Sequence, residues 1–89
     1  MLTDMVGYSS LTQRDEKLAL ELAREQEEIV RPILGAFGGR AVKSLGDGLL
    51  VEFASALDAV RCSLEIQSAV KRRNSDCEGE PISLRIGVH

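Results

Sequence analysis

The stretch Arg40-Ala41-Val42-Lys43-Ser44-Leu45-Gly46-Asp47-Gly48-Leu49-Leu50-Val51-Glu52-Phe53 decides how this chain folds. Gly46-Asp47-Gly48 permits the positive backbone dihedrals of a tight turn, so Arg40 to Leu45 and Leu49 to Phe53 read as the two arms of a hairpin. In the second arm Leu49, Val51 and Phe53 alternate with Leu50 and Glu52, which turns one face to a core and leaves the other more open. Upstream, from Leu11 to Phe37, the residues Leu18, Leu22, Ile29 and Ile33, joined by Ala19, Val30, Leu34 and Phe37, recur at three- and four-residue spacings. That spacing predicts one buried stripe on a long helix. Thr12 followed by Asp15 resembles a capping box and places the helix start there, with acids near the positive end of the macrodipole. Pro32 predicts a kink near Arg31 or a restarted last turn. Gly38-Gly39 ends the helix.

Downstream, Ser55 followed by Asp58 is a second capping signal, and Leu57, Val60, Leu64 and Val70 support a second helix to about Arg73. Asn74 to Pro81 is a loop by composition, and Ile82, Leu84, Ile86 and Val88 alternate with Ser83, Arg85 and Gly87 as a strand should. With Leu2 to Val6 as the end of a first strand, the order is strand, helix, strand, strand, helix, strand. This is the ferredoxin-like split unit βαββαβ, an α+β fold with an antiparallel sheet and two helices on one face. Right-handed crossovers then set the third strand antiparallel to the first, so that the end of one lies beside the start of the other. Asp4 and Asp47 occupy those two ends.

Eighty-nine residues make a single small domain, 1–89, near the lower limit for a self-sufficient core. A hydrophobic fraction of 44% and a charged fraction of 28% are those of an ordinary globular protein. No apolar run is long enough to span a bilayer and no basic-then-apolar leader opens the chain, so the expected location is cytoplasmic. A net charge of -3, with lysines and arginines spread among acids, argues against a nucleic-acid partner. Cys62, in a helical pattern, and Cys77, in a polar loop, have neither metal-ligand spacing nor companions for a disulfide framework.

Two segments carry the chemistry: Thr3-Asp4-Met5-Val6-Gly7-Tyr8-Ser9 and Lys43-Ser44-Leu45-Gly46-Asp47-Gly48. Magnesium prefers oxygen ligands and is commonly held by one or two carboxylates together with waters and substrate phosphates, a minimum that Asp4 and Asp47 meet. Two metals sharing such carboxylates can activate an attacking oxygen and neutralise leaving phosphates in an in-line displacement. The backbone of Val6 to Ser10 leads toward a helix start, where free N–H groups favour an anion. The same residues also admit a plain reading: aspartate is common in glycine turns and near strand ends because it tolerates them. Lys43, near a strand end, reads equally as a solvated edge charge.

These residues resemble the catalytic domain of the class III adenylate and guanylate cyclases. The likeness covers essentially the whole chain: the Thr3–Ser9 segment, Gly38-Gly39-Arg40, Val42-Lys43-Ser44-Leu45-Gly46-Asp47-Gly48, Glu52-Phe53, Ala56-Leu57-Asp58-Ala59-Val60 and Leu84-Arg85-Ile86-Gly87-Val88-His89. The resemblance implies conversion of a nucleoside triphosphate, ATP in preference to GTP, to its 3',5'-cyclic monophosphate and pyrophosphate, with two Mg²⁺ or Mn²⁺ ions. By it Asp4 and Asp47 are the catalytic metal aspartates, with the Met5 carbonyl as a further metal ligand. Val6, Gly7, Tyr8 and Ser9 hold phosphates through their backbone, and Lys43 falls where the family places a purine-recognising lysine.

The family also implies a dimer with sites shared across subunits, and Leu50 offers an apolar contribution to an interface. Family members carry a fuller first strand, and beyond the final Gly-Val-His a hairpin and helix bearing the asparagine and arginine that stabilise the transition state. The chain is therefore expected to be the N-terminal half of a cyclase domain, truncated at both ends relative to it. A homodimer or a complementing cyclase half is the expected partner, with little or no turnover by the chain alone, since removing a charge-stabilising group costs orders of magnitude in rate. The competing expectation is a non-catalytic ferredoxin-like module for dimerisation or regulation, derived from a cyclase.

Overall fold

A computed structural model describes residues 1–44 and 46–88. Leu45, the last position expected for the first hairpin arm, and His89, for which no role is expected, lie outside the described residues. The elements are β1 (Leu2–Met5), α1 (Tyr8–Arg14), α2 (Glu16–Ala36), β2 (Arg40–Ser44), β3 (Leu49–Glu52), α3 (Ala56–Asp76) and β4 (Leu84–Gly87). The sheet runs β2-β3-β1-β4 with every neighbouring pair antiparallel, which is the strand order of the ferredoxin-like unit. Thr3 stands opposite Leu49, so the start of β3 lies beside β1 as the topology requires.

Alternation along the strands sorts the sheet into two faces. Thr3, Met5, Leu49, Val51 and Leu84 point inward and are buried, whereas Leu2, Leu50, Glu52 and Arg85 are exposed on the other side. The inward set joins Leu11, Ala19, Leu22, Val30 and Leu34 of the first two helices and Cys62, Ile66 and Val70 of α3 in one core. A principal extent of only 17 Å in the thinnest direction fits one sheet covered by one layer of helices.

Two local expectations change. The first helix begins earlier and in two pieces. Gly7, at φ 76°, is the N-cap of α1 and offers no side-chain cap, while Thr12 sits inside α1 with its hydroxyl donating to the Tyr8 carbonyl. Asp15 interrupts the helix in a non-helical conformation and is itself the N-cap of α2, accepting from the Leu18 N–H at 3.1 Å. Pro32 neither ends nor restarts α2, which continues to Ala36. It lies one turn from the helix end on the exposed side, as does Glu28, whose carbonyl would otherwise accept from position 32, so water can satisfy the freed group. The helix then closes through Gly38, at φ 74°, and a hydrogen bond from the Gly39 N–H to the Leu34 carbonyl at 2.8 Å.

In α3 the large apolar side chains of the first turns are not the buried ones. Ser55 caps the helix as expected, but Leu57, Val60 and Leu64 are exposed, at 56%, 43% and 67%, and the core is met by Ala59, Cys62, Ile66 and Val70. α3 carries apolar residues on two sides, and small Ala59 and Cys62 let the helix approach its neighbours closely. Cys62 is buried and Cys77 exposed. On α2 the predicted stripe is the buried one, with Gln26 also in it, 2% exposed and its Oε1 without a hydrogen-bond partner among the described residues.

Candidate functional site

The last residues of β1, the turn into α1 and the β2–β3 hairpin meet at one end of the sheet. Gly7 makes the turn possible: its positive φ is a conformation that costs other residues free energy, and it lets the chain reverse directly from strand to helix. Asp4 is on the outward face of β1, directly opposite Arg85 of β4. The guanidinium donates to both carboxylate oxygens, from Nε to Oδ1 at 2.9 Å and from Nη2 to Oδ2 at 3.3 Å. Arg85 is 71% exposed and Asp4 37%. The Asp4 carboxylate pushes the Arg85 pKa further above its ordinary value, so the guanidinium stays charged at any working pH.

Asp47 comes to the same place from the hairpin. Its Oδ2 accepts from the Met5 backbone N–H at 2.9 Å, a charge-assisted bond that fixes the carboxylate against the strand carrying Asp4. A cleft of about 250 Å³ is lined by Asp4, Met5, Gly7, Tyr8, Ser9, Ser10, Asp47 and Arg85. Among the described residues no group of three or more histidine, cysteine or acidic side chains is gathered for a metal. Two carboxylates with free room beside them fit a hard divalent cation that takes its remaining ligands from backbone, water and phosphate oxygens.

The structure thus brings together Asp4, Met5, Gly7, Tyr8, Ser9 and Asp47 of the predicted set. It does not bring Val6, whose N–H donates to the Ser83 carbonyl at 2.8 Å and which lines a neighbouring cavity of about 360 Å³ behind α1. Lys43 stands exposed on β2 and is not among the residues lining the cleft.

Comparison with known proteins fits this geometry. "Putative adenylate cyclase 3" of Rhizobium meliloti is 43% identical over 91 residues, covering all of this chain and 16% of that protein. A crystal structure described as an adenylate/guanylate cyclase/hydrolase from Silicibacter pomeroyi superposes with a TM-score of 0.82 at 41% identity, over 98% of this chain and 52% of that one. The chain belongs to the class III adenylate/guanylate cyclase catalytic domains. A bacterial light-regulated adenylyl cyclase shares the fold of this chain, with a TM-score of 0.84 at 24% identity over 93% of this chain and 26% of the other. No protein-family model matches. The chain spans about a sixth of its Rhizobium relative and about half of the Silicibacter structure.

Sequence reasoning missed Arg85 as a residue lining this cleft. Alternation of Leu84 and Ile86 did put Arg85 on the outward face, but only the β1–β4 register sets it opposite Asp4. Among the described residues no helix is long and apolar enough to cross a membrane.

Proposed function

We propose that this chain supplies the metal-binding part of a nucleotidyl cyclase site, at which ATP is converted to 3',5'-cyclic AMP and pyrophosphate. The observation that carries the reading is that Asp4 and Asp47, far apart in sequence, line one cleft beside a charged arginine. Two Mg²⁺ or Mn²⁺ ions, when bound there, would supply Lewis-acid activation of the attacking hydroxyl and neutralisation of phosphate charge. Asp4 and Asp47 would hold them, with the Met5 carbonyl as a further ligand. The Met5 N–H keeps the Asp47 carboxylate oriented, leaving its second oxygen available.

Gly7, Tyr8 and Ser9 face the cleft where a triphosphate would lie, and their backbone N–H groups precede or open α1. Val6 contributes by shaping this loop rather than by donating, since its N–H is already bonded. Arg85 has donors to spare and can exchange a carboxylate oxygen for a phosphate oxygen. Lys43, on the hairpin that carries Asp47, would meet the base beyond the phosphate region. On the outward face of the sheet Leu2 and Leu50 are exposed cross-strand partners, an apolar contribution suited to a second copy or a complementing cyclase half. A cytoplasmic setting, where ATP is available, suits this reading.

The test is equilibrium dialysis of labelled ATP and GTP against the purified chain with Mn²⁺, followed by chromatography for cyclic nucleotide. ATP should be retained only with Mn²⁺, retention should vanish in Asp47→Ala, and cyclic AMP should form slowly or not at all. Rapid cyclic AMP formation would mean that these 89 residues are catalytically complete. No Mn²⁺-dependent retention of either nucleotide would overturn the reading.

A further inference from the structure

Asp47 sits on a turn, and a turn by itself does not hold a carboxylate to the tolerance that a metal demands. What fixes this turn is Thr3. Thr3 is on the inward face of β1 and only 1% exposed, a buried hydroxyl among apolar neighbours. Its Oγ1 accepts from the Leu49 N–H at 3.1 Å, a buried hydrogen bond made at the first residue of β3. Between Leu49 and Asp47 lies Gly48, on which a Cβ would collide with the Thr3 carbonyl oxygen and crowd the Asp4 Cα. The hairpin therefore rests directly on the β1 backbone at Thr3, one residue before Asp4. Asp47 is then locked from the far side by the Met5 N–H.

We propose that Thr3 is a positioning residue for the metal site: its hydroxyl anchors the start of β3 so that Asp47 is held beside Asp4 at the separation a shared cation requires. The inference rests on the metal reading of Asp4 and Asp47 and extends it to a side chain that touches neither metal nor substrate. The alternative for a buried threonine is packing alone, which valine would satisfy with nearly the same shape. The two roles differ in what the hydroxyl does. Loss of the hydroxyl leaves the Leu49 N–H buried without its acceptor, so β3 is drawn off β1 at the position next to Gly48 and Asp47. Groups that orient a metal ligand in this way commonly set affinity by a factor of ten or more.

Tyr8 provides the probe. It is the only tyrosine in a chain without tryptophan, and it lines the same cleft as the two aspartates, so Tb³⁺ bound there is sensitised by exciting it. Tb³⁺ is titrated into the wild-type chain, Thr3→Val, Thr3→Ser and Asp47→Ala, with Mn²⁺ as competitor and far-UV circular dichroism recorded on each. Wild type should give Mn²⁺-displaceable luminescence that Asp47→Ala loses. Thr3→Val, folded to the same helical content, should bind Tb³⁺ about tenfold more weakly. Thr3→Ser, which keeps the hydroxyl, should bind within about twofold of wild type. A merely structural role would lower the melting temperature of Thr3→Val and leave the affinity of its folded form unchanged; that result would overturn the proposal while the metal reading stood. Equal luminescence from wild type and Asp47→Ala would instead remove the metal reading itself. Should Thr3→Val not fold, Thr3→Ala, which lacks the hydroxyl without adding bulk, is measured by the same criterion.

Discussion

Two arginines in this molecule each clasp a carboxylate through two hydrogen bonds, and they are built for opposite purposes. Arg73 of α3 binds Glu25 of α2 through Nε at 2.7 Å and Nη2 at 2.8 Å. It also donates through Nη1 to the Asn74 side chain and to the Glu80 carbonyl, and is only 12% exposed. Asn74 in turn exchanges two hydrogen bonds with the backbone of Ile82, at the approach to β4. Arg73 thus ties both long helices and the last strand together with most of its donors used. Arg85 makes a similar clasp on Asp4 but in the open, with donors unused among the described residues and a cleft alongside. One chemical pairing is spent on the scaffold and the other remains exchangeable at the site.

The sharpest way to break this contrast is Arg73→Ala. It strands a part-buried carboxylate and loosens three elements, and should cost about 2 kcal/mol of stability, read as a lower urea midpoint at unchanged slope. A shift indistinguishable from zero would mean that the helical clasp is as dispensable as an ordinary surface pair. Arg85→Gln should leave the urea midpoint where it was, since the pair is exposed and screened. In the absence of nucleotide it should raise Mn²⁺ affinity about threefold by freeing Asp4 from a competing cation, measured by titration calorimetry. Weaker Mn²⁺ binding in this variant would show that Arg85 supports the metal rather than competing with it.

The smallest effect concerns pH. The hydrogen bond from Arg73 holds the Glu25 pKa below its ordinary 4.5. A lowered carboxylate pKa contributes stability that is present above the unfolded value and is lost as pH falls through the folded one. Glu25→Gln should therefore be less stable than wild type by about 0.5 kcal/mol at neutral pH, a value reduced for the exposure of Glu25. The gap should close as the solution is taken well below pH 4.5, and a gap that persists there would assign the loss to packing.

Much of the scaffold is legible in the sequence because its signals are local. Alternation along Leu49 to Phe53 and Leu84 to Val88 marks strands, Gly46-Asp47-Gly48 marks the hairpin, and Ser55 with Asp58 marks a helix start. The start of α1 is not legible because its cap is a glycine with a left-handed backbone and no side chain to announce it. The buried face of α3 is not legible because Leu57, Val60 and Leu64 outweigh Ala59 and Cys62 in hydrophobicity, while closeness of packing favours the smaller residues. At the site, the two aspartates follow from topology once the strand order is known. Arg85 and Thr3 do not, since each depends on register: one residue of slip would turn Arg85 inward and Thr3 outward.

The central claim is that Asp4 and Asp47 hold one metal site together, and titration calorimetry with Mn²⁺ on wild type, Asp4→Asn, Asp47→Asn and the double variant tests it most directly. Shared ligation predicts that either single change removes most of the binding, about a hundredfold in affinity, and that the double change adds little further, because groups acting as a unit are not additive. Undiminished binding in either single variant, or two independent losses that sum in the double, would contradict it.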